Sequence, residues 1–544
     1  MTSEHCNNCR YRTLDIEEIP PLPRAPPSLF ELSISNDIPS PTDLVSFSTG
    51  YSDICAALSA TEVQIERFTA SLGQWSIRKL ILKARVSEYK SVLHPIRRLS
   101  DDVLLYIFRI CIDGDLSEEL IDDGHYPGSL DTRMAPWILT QICQRWRVLV
   151  TSSPQFWTSI YINWRYDKAH VPKYHPSLER LLALQLQRCL DQPISIRYRG
   201  ARAHTSRDIR YATNERLLMV LCSRSMYWSR ASFEFIDKET INPLTCYQGL
   251  LPNLAELQLR CPFSHEYDEE ALSIFGDTPH LRKLRIIGNL HYLLKAPIPF
   301  QQITEFVSRN DDEKYWNLRK QEQYFSTLPR LRNVQMLDLQ CSRGDNGRLP
   351  ELPRESLILS GLHTLTLQSE ELDLPAVYQL LKWLTLPALQ TLRLPGGFAS
   401  AGYLSKFLGR SQCVLHELVL TDARIGLDVL VQLLCKDALR NLETFTLGVH
   451  EEEMRVSGSH NVFRKFTILP NETEKDVMLP KLETFRMRGI DGLTQPLCDM
   501  IMSRTVHLPS GVSALKYFAV CGMPAADFQK LKEGFYGSGI ALMN

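Results

Sequence analysis

The sequence predicts an α/β chain in two parts: a small N-terminal α-helical domain, then a long strand–helix solenoid. Three observations predict it. The C-terminal two thirds repeats a cassette apolar-x-x-apolar-x-apolar, as in "LPNLAELQL" (251–259), "LSGLHTLTL" (359–367), "LPALQTLRL" (386–394) and "LRNLETFTL" (439–447). Residues 55–93, and again 138–149, instead carry apolar side chains at steps of three and four, the helical period. The 544 residues exceed what a single small core organises.

Composition removes several function classes. A net charge of −1 gives no overall field toward nucleic acid, and no apolar run reaches the length of a membrane span. The first residues lack the apolar core of a secretory signal. Cys111, Cys143, Cys222, Cys413, Cys435 and Cys521 each lie singly within apolar segments. They read as small hydrophobes in a reducing compartment, cytoplasm or nucleus.

Residues 1–54 are rich in Pro and Ser, a composition that predicts a disordered tail. His5, Cys6 and Cys9 fall short of the four ligands of a structural zinc site, so no metal is expected. Residues 55–93 form a helical stripe through Leu58, Ile65, Phe68, Leu72, Trp75, Leu82, Val86, Tyr89 and Leu93, interrupted by Lys79. The stripe suits either a coiled-coil seam or, the expectation here, packing along the next domain. His94-Pro95 ends it.

"LSDDVLLYIFRICI" (99–112) opens a second helix, with Ser100 as cap and Asp101 and Asp102 at the positive end of the dipole. It is apolar on nearly every side, so it needs cover on two sides. An acidic segment, 113–135, reads as an exposed loop, and "APWILTQICQRWRVLVTSS" as a helix starting near Pro136 and stopped by Pro154. Ile138, Ile142, Trp146 and Leu149 are expected on one face of it.

The ordered set Leu99, Asp102, Leu104, Leu105, Ile107, Phe108, Cys143, Trp146, Arg147, Leu149, Pro154 and Trp157 resembles an F-box of the fungal type, covering residues 94–162. Ser100 and Asp102 stand where that pattern has Pro and Glu. The resemblance implies a three-helix unit docking on the Skp adaptor of a Skp–cullin–F-box ubiquitin ligase, and through it on a cullin. Val103, Ile107 and Ile110 are expected to face an internal core. Leu99, Asp102, Leu104, Leu105, Phe108, Ile112, Trp146, Leu149, Pro154 and Trp157 are expected to meet the adaptor.

From residue 163 to 544 the cassettes begin at Leu254, Leu281, Val334, Leu362, Leu389, Leu415, Leu442, Leu482 and Leu515, with steps of 27, 53, 28, 27, 26, 27, 40 and 33. This resembles irregular leucine-rich repeats: each unit is a short strand and a helical return, stacked because neither buries its apolar side alone. Residues 178–236 read as atypical first units. Residues 309–323 are expected to be helical and 450–476 a loop. The outward strand positions form the concave face, among them Glu256, Lys283, Asp338, Thr364, Thr391, Arg393 and Glu417. Arg486, Arg488 and Tyr517 are the expected anchors for a protein substrate.

No Gly-x-Gly-x-x-Gly, phosphate loop, zincin helix or Gly-x-Ser-x-Gly occurs, so no enzyme and no cofactor is predicted. The reading is a ligase substrate receptor. The alternative is a stand-alone protein-binding scaffold without a ligase role.

Overall fold

The computed structural model describes residues 21–24, 26, 28–29, 40–115, 128–163, 177–199, 209–234, 244, 249–261, 273–288, 297–309, 320–341, 349, 351–369, 374–395, 401–423, 427–449, 459–488, 495–506, 508–521, 523–535 and 539–543. Two compact units divide the chain after Val103.

The first unit is dominated by one helix, α1 (Pro41–Leu93). Ser40 caps it, its hydroxyl accepting from the Asp43 amide at 3.2 Å, and Pro41 occupies the first turn, where its missing N–H costs nothing. The helix therefore begins fourteen residues before the expected boundary at 55. The Pro/Ser content that suggested a tail supplies the cap. Residues 1–20, with His5, Cys6 and Cys9, lie outside the described residues. The chain leaves α1 at His94, whose Nδ1 accepts from the Ile96 amide, and makes a 3-10 turn over Pro95–Arg98. Within its own unit the apolar stripe of α1 is exposed: Leu58, Ile65, Phe68, Leu72, Leu82, Val86 and Leu93 all face solvent.

The second unit opens in α2 (Asp101–Asp115), the helix that spans the unit boundary. The expected second helix is broken. A short α3 (Leu139–Ile142) stops at Cys143, whose extended backbone (φ −158°, ψ 169°) restarts the chain as α4 (Gln144–Thr151). Ile142 is consequently exposed, while Trp146 and Leu149 are half-buried.

The rest is a leucine-rich-repeat-like solenoid. Among the described residues fourteen strands form one sheet in sequential order, and every pairing is parallel. They are β1 (Ser159–Asn163), β2 (Ile194–Arg199), β3 (Trp228–Glu234), β4 (Glu256–Cys261), β5 (Lys283–Gly288), β6 (Glu305–Arg309), β7 (Met336–Cys341), β8 (Thr364–Ser369), β9 (Thr391–Pro395), β10 (Glu417–Ala423), β11 (Thr444–Val449), β12 (Thr484–Arg488), β13 (Tyr517–Cys521) and β14 (Ala541–Met543). Helical returns such as Ser177–Arg188, Leu374–Trp383 and Gln495–Ser503 supply the other layer. Residues of one strand alternate between buried and part-exposed, so one sheet face meets the returns and the other stays open. The cassette leucines are the core: Leu254, Leu281, Leu362, Leu389, Leu415 and Leu442 are fully buried. Each contributes roughly 1.5–3 kcal/mol by leaving water.

Three departures from the cassette reading have physical causes. The 53-residue step holds an additional unit, β6, in which Ser308 replaces the second strand leucine. Ser308 is fully buried and its hydroxyl accepts from Tyr324 at 3.2 Å, so a hydrogen bond stands where the pattern has apolar contact. The segment 450–476 contains a helix, Ser459–Phe466, whose Phe466 stacks on Phe445 and Phe485 (centroids 6.2 and 5.3 Å). Residues 310–319 lie outside the described residues, and the helix there is Lys320–Thr327.

Where a return closes, arginines replace apolar contact with hydrogen bonds to main-chain carbonyls. Arg410 donates to Leu381 and Leu384, both at 2.6 Å. The fully buried Arg504 donates to the carbonyls of Phe466 (2.8 Å), Met478 (2.6 Å) and Leu479 (3.2 Å), and burial pushes its guanidinium down to about 10.

The cysteines divide. Cys222 and Cys413 are buried as expected, but Cys111 on α2, Cys143 at the break between α3 and α4, Cys435 just past the return helix Leu427–Leu434, and Cys521 at the end of β13 are exposed.

Candidate protein-binding surfaces

Among the described residues no cluster of His, Cys, Asp or Glu could hold a metal, and no helix is long and apolar enough to cross a membrane. Two surfaces remain as candidates: the helices α2–α4 and the open face of the sheet.

On α2 the inner and outer faces are opposite to expectation. Leu104, Phe108 and Ile112, at helical steps of four, are buried. Phe108 lies against Trp146 with ring centroids 4.7 Å apart. Val103, Tyr106 and Ile110 are exposed, and Leu105 and Ile107 are intermediate. A helix apolar on both sides gives no sequence signal for which side turns inward; the position of Trp146 decides it. Of the other expected adaptor contacts, Asp102 is exposed, and Leu99, Trp146, Leu149 and Pro154 are half-exposed.

Trp157 is fully buried and belongs to the core that joins α4 to the sheet. Its indole Nε1 donates to the Val150 carbonyl at 2.9 Å, and Trp137 meets it edge-on at 4.8 Å. The Arg188 guanidinium lies over both rings, 4.2 Å from Trp157 and 5.1 Å from Trp137, and burial holds it below the usual arginine range. Gln185 Nε2 donates to the carbonyls of Trp157 (3.2 Å) and Ser159 (3.0 Å).

The strand just after Trp157 is already β1, so the helices and solenoid share a core and the sheet starts before the boundary expected after 162. The free edge of β1 is covered. The Ser129 amide donates to the Tyr161 carbonyl at 2.8 Å, and the Tyr161 amide donates back to Ser129 Oγ at 3.0 Å. Gly128 permits this approach: its φ is +86°, and a Cβ there would stand 3.0 Å from the Tyr161 carbonyl oxygen.

The open face has two chemistries. Across β3–β6 one register row reads Arg230, Glu256, Lys283, Glu305, alternating in sign. Arg230 lies 3.4 Å from Glu256, and Lys283 lies 3.8 Å from Glu256 and 3.1 Å from Glu305. A second row places Glu234 between Arg199 and Arg260. A hollow of about 240 Å³ opens here, lined by Arg197, Arg230, Glu256, Lys283, Arg285 and Glu305 among others. Sequence reasoning missed this ladder because two of its four charges sit in units without the leucine signature. Only the recurrence of Glu256 and Lys283 at one cassette position hinted at it.

From β8 onward the corresponding row is Thr364, Thr391, Glu417, Thr444, Thr484, Tyr517. Here the three expected substrate anchors fall on one patch. Arg486 and Arg488 are exposed on β12, and the Arg486 guanidinium lies 5.5 Å from the Tyr517 ring centre on β13. Their register neighbours, Thr446 and Gly448 on one side and Ala519 and Cys521 on the other, carry no charge. The anchors are thus brought together, and their positive charge is not offset by adjacent strands.

No protein-family model matches the chain, and no curated protein does. Solved structures do. Rad7, from the yeast Rad7–Elc1 complex, is 16% identical over 67% of this chain and 86% of its own, with a TM-score of 0.30. The leucine-rich-repeat-containing protein LegL7 from Legionella pneumophila is 13% identical over 53% and 90%, with a TM-score of 0.32. An internalin from Listeria monocytogenes is 14% identical over 54% and 75%, with a TM-score of 0.27.

Proposed function

We propose that the chain is the substrate-receptor subunit of a Skp–cullin–F-box ubiquitin ligase, with residues 94–162 as the adaptor-binding domain and the open face of the solenoid as the substrate surface. The observation that carries the substrate half is a fourteen-stranded sheet with one face formed by the repeat core and the other open. A long polar surface of this kind suits a protein partner. On it, Arg486, Arg488 and Tyr517 combine positive charge, without a charged register neighbour on the adjacent strands, with an aromatic ring, the chemistry that receives an acidic peptide segment. The chain then contributes positioning, and the chemistry belongs to the assembled ligase.

The adaptor half rests on the F-box-like residue set and on the exposed apolar side chains of α2. The docking residues are Tyr106, Ile107 and Ile110, joined by Ile142 and Val148. Leu104, Phe108, Ile112 and Trp157 support that surface from inside. The stand-alone scaffold reading draws on the same burial, since the most distinctive F-box-like side chains are satisfied within the chain's own core.

Co-expression with the Skp adaptor separates the two. The ligase reading expects the full chain to co-purify with the adaptor and Tyr106→Ala/Ile110→Ala to lose it without losing cooperative unfolding. A wild-type chain that retains no adaptor overturns the ligase reading and leaves the scaffold. Arg486→Glu/Arg488→Glu is expected to retain the adaptor while losing an acidic substrate.

A further inference from the structure

The feature of the molecule that no function above uses is α1. From Leu44 to Leu93 its steps alternate strictly between three and four: 44, 47, 51, 54, 58, 61, 65, 68, 72, 75, 79, 82, 86, 89, 93. Thirteen of these fifteen positions are apolar, the exceptions being Thr61 and Lys79. This is a seven-residue repeat, period 3.5 and not 3.6, sustained over the helix. A straight α-helix drifts by about 20° per heptad against such a stripe, so the stripe stays in contact only with another helix that supercoils around it. Among the described residues of its own unit no second helix covers the stripe: Tyr51 is 73% exposed, Leu72 66%, Leu82 51% and Leu93 62%. A helix of this length, ~80 Å, with its apolar seam in water is not a stable end state.

We infer that α1 pairs with the α1 of a second copy of this chain, in antiparallel orientation. The flanking charges choose both partner and direction. In a parallel in-register pair, residues flanking the seam meet five positions apart. Arg78 then faces Lys83, Arg85 faces Lys90, and Lys79 faces its own copy inside the seam. All of these are like-charge contacts, made twice by symmetry except the last.

Reversing one copy about the midpoint between Gly73 and Gln74 removes every one of them. The seam residues then pair Ile54 with Leu93, Leu58 with Tyr89, Ile65 with Leu82, and Leu72 with Trp75. Lys79 lies over Phe68, a position where its stem covers the ring and its ammonium reaches water. Among the flanking residues, Glu62 of each copy meets Lys83 of the other, so two opposite-charge contacts replace the repulsions. Residues 54–93 overlap fully. The two-fold symmetry makes one self-complementary interface, the closed arrangement that a single surface can form with itself.

The test is the mass of the full-length chain in solution by light scattering, which is expected to be twice that of one chain. Leu72→Asp/Leu82→Asp is expected to give the single-chain mass with the cooperative unfolding of the solenoid retained. A wild-type chain of single-chain mass at micromolar concentration overturns the proposal, as does a double variant that stays dimeric.

Direction is read by mixing two differently tagged chains, Ile54→Cys and Leu93→Cys, under mild oxidation and mapping the cross-links. Cross-links between the two tags support the antiparallel pair, and links confined to like tags overturn it. Glu62→Lys is expected to weaken dimerisation about fivefold, and Glu62→Lys/Lys83→Glu to restore it. In a parallel pair Glu62 faces Ala57, so Glu62→Lys alone would not act, and the double variant would bind tighter than wild type because Glu at 83 would meet Arg78.

Discussion

The solenoid and α1 are both written in periodic apolar residues, and the period has opposite outcomes in them. Leu365, Leu392 and Leu418 on neighbouring strands are fully buried, whereas Leu58, Leu72 and Leu82 on α1 are exposed. The difference lies in the succession of elements along the chain. A solenoid strand is succeeded by a return and another strand at fixed register, so each unit covers the previous one. α1 is a single element ending at His94-Pro95, and among the described residues of its unit its period does not recur. A period tells which residues share a face; cover must come from somewhere else.

This comparison can be broken or sharpened by substitution. The largest effect is expected at Phe485, which stacks on Phe445 at 5.7 Å and Phe466 at 5.3 Å and touches Phe518 at 5.7 Å. Phe485→Ala removes the centre of that stack and is expected to cost about 3–5 kcal/mol in urea unfolding of the full chain. A cost under about 1 kcal/mol would mean the repeats do not cover one another as described.

Phe108→Ala comes next. Phe108 is fully buried against Trp146, so the loss is expected to reach about 3 kcal/mol, visible as a change in near-ultraviolet signal and an earlier unfolding midpoint. Were Phe108 an outward contact instead, its replacement would leave the midpoint unchanged.

Thiol chemistry gives a graded readout without substitution. Burial pushes Cys189 up to about 12, and Cys413 is also raised by burial. Since the thiolate is the reactive form, both are expected to resist alkylation at about pH 8 in the native chain. Exposed Cys111 and Cys435 are expected to label within minutes. Mass mapping before and after denaturation checks the contrast.

The smallest effect is expected at Arg393, half-exposed and paired with Glu417 at 3.0 Å on the open face. Arg393→Ala is expected to cost less than about 1 kcal/mol, because water screens the pair.

The legible part of the fold was the part whose residues repeat. Each cassette leucine marks a strand because the strand, the turn before it and the return after it recur together. The unit at Glu305–Arg309 escaped because Ser308 satisfies its burial by a hydrogen bond, and an apolar template does not see a polar solution. The start of α1 is not legible because Ser40 and Pro41 are indistinguishable from the Pro- and Ser-rich composition around them, yet in the fold they cap the helix. In the candidate sites, Arg486, Arg488 and Tyr517 were placed on one patch by the repeat register alone, since parallel strands carry residues of equal position into line. The charge ladder from Arg230 to Glu305 was not, because its members are up to 75 residues apart and two lie outside the recognisable units.

The sequence by itself determined the solenoid, its register and the heptad seam of α1, because local period and recurrence fix which side chains share a face. Only the tertiary structure decided which side of α2 turns inward and that Trp157 is core. Both depend on where Trp146, Trp137 and Arg188 arrive from other elements, and a helix apolar on two sides contains no local preference between them.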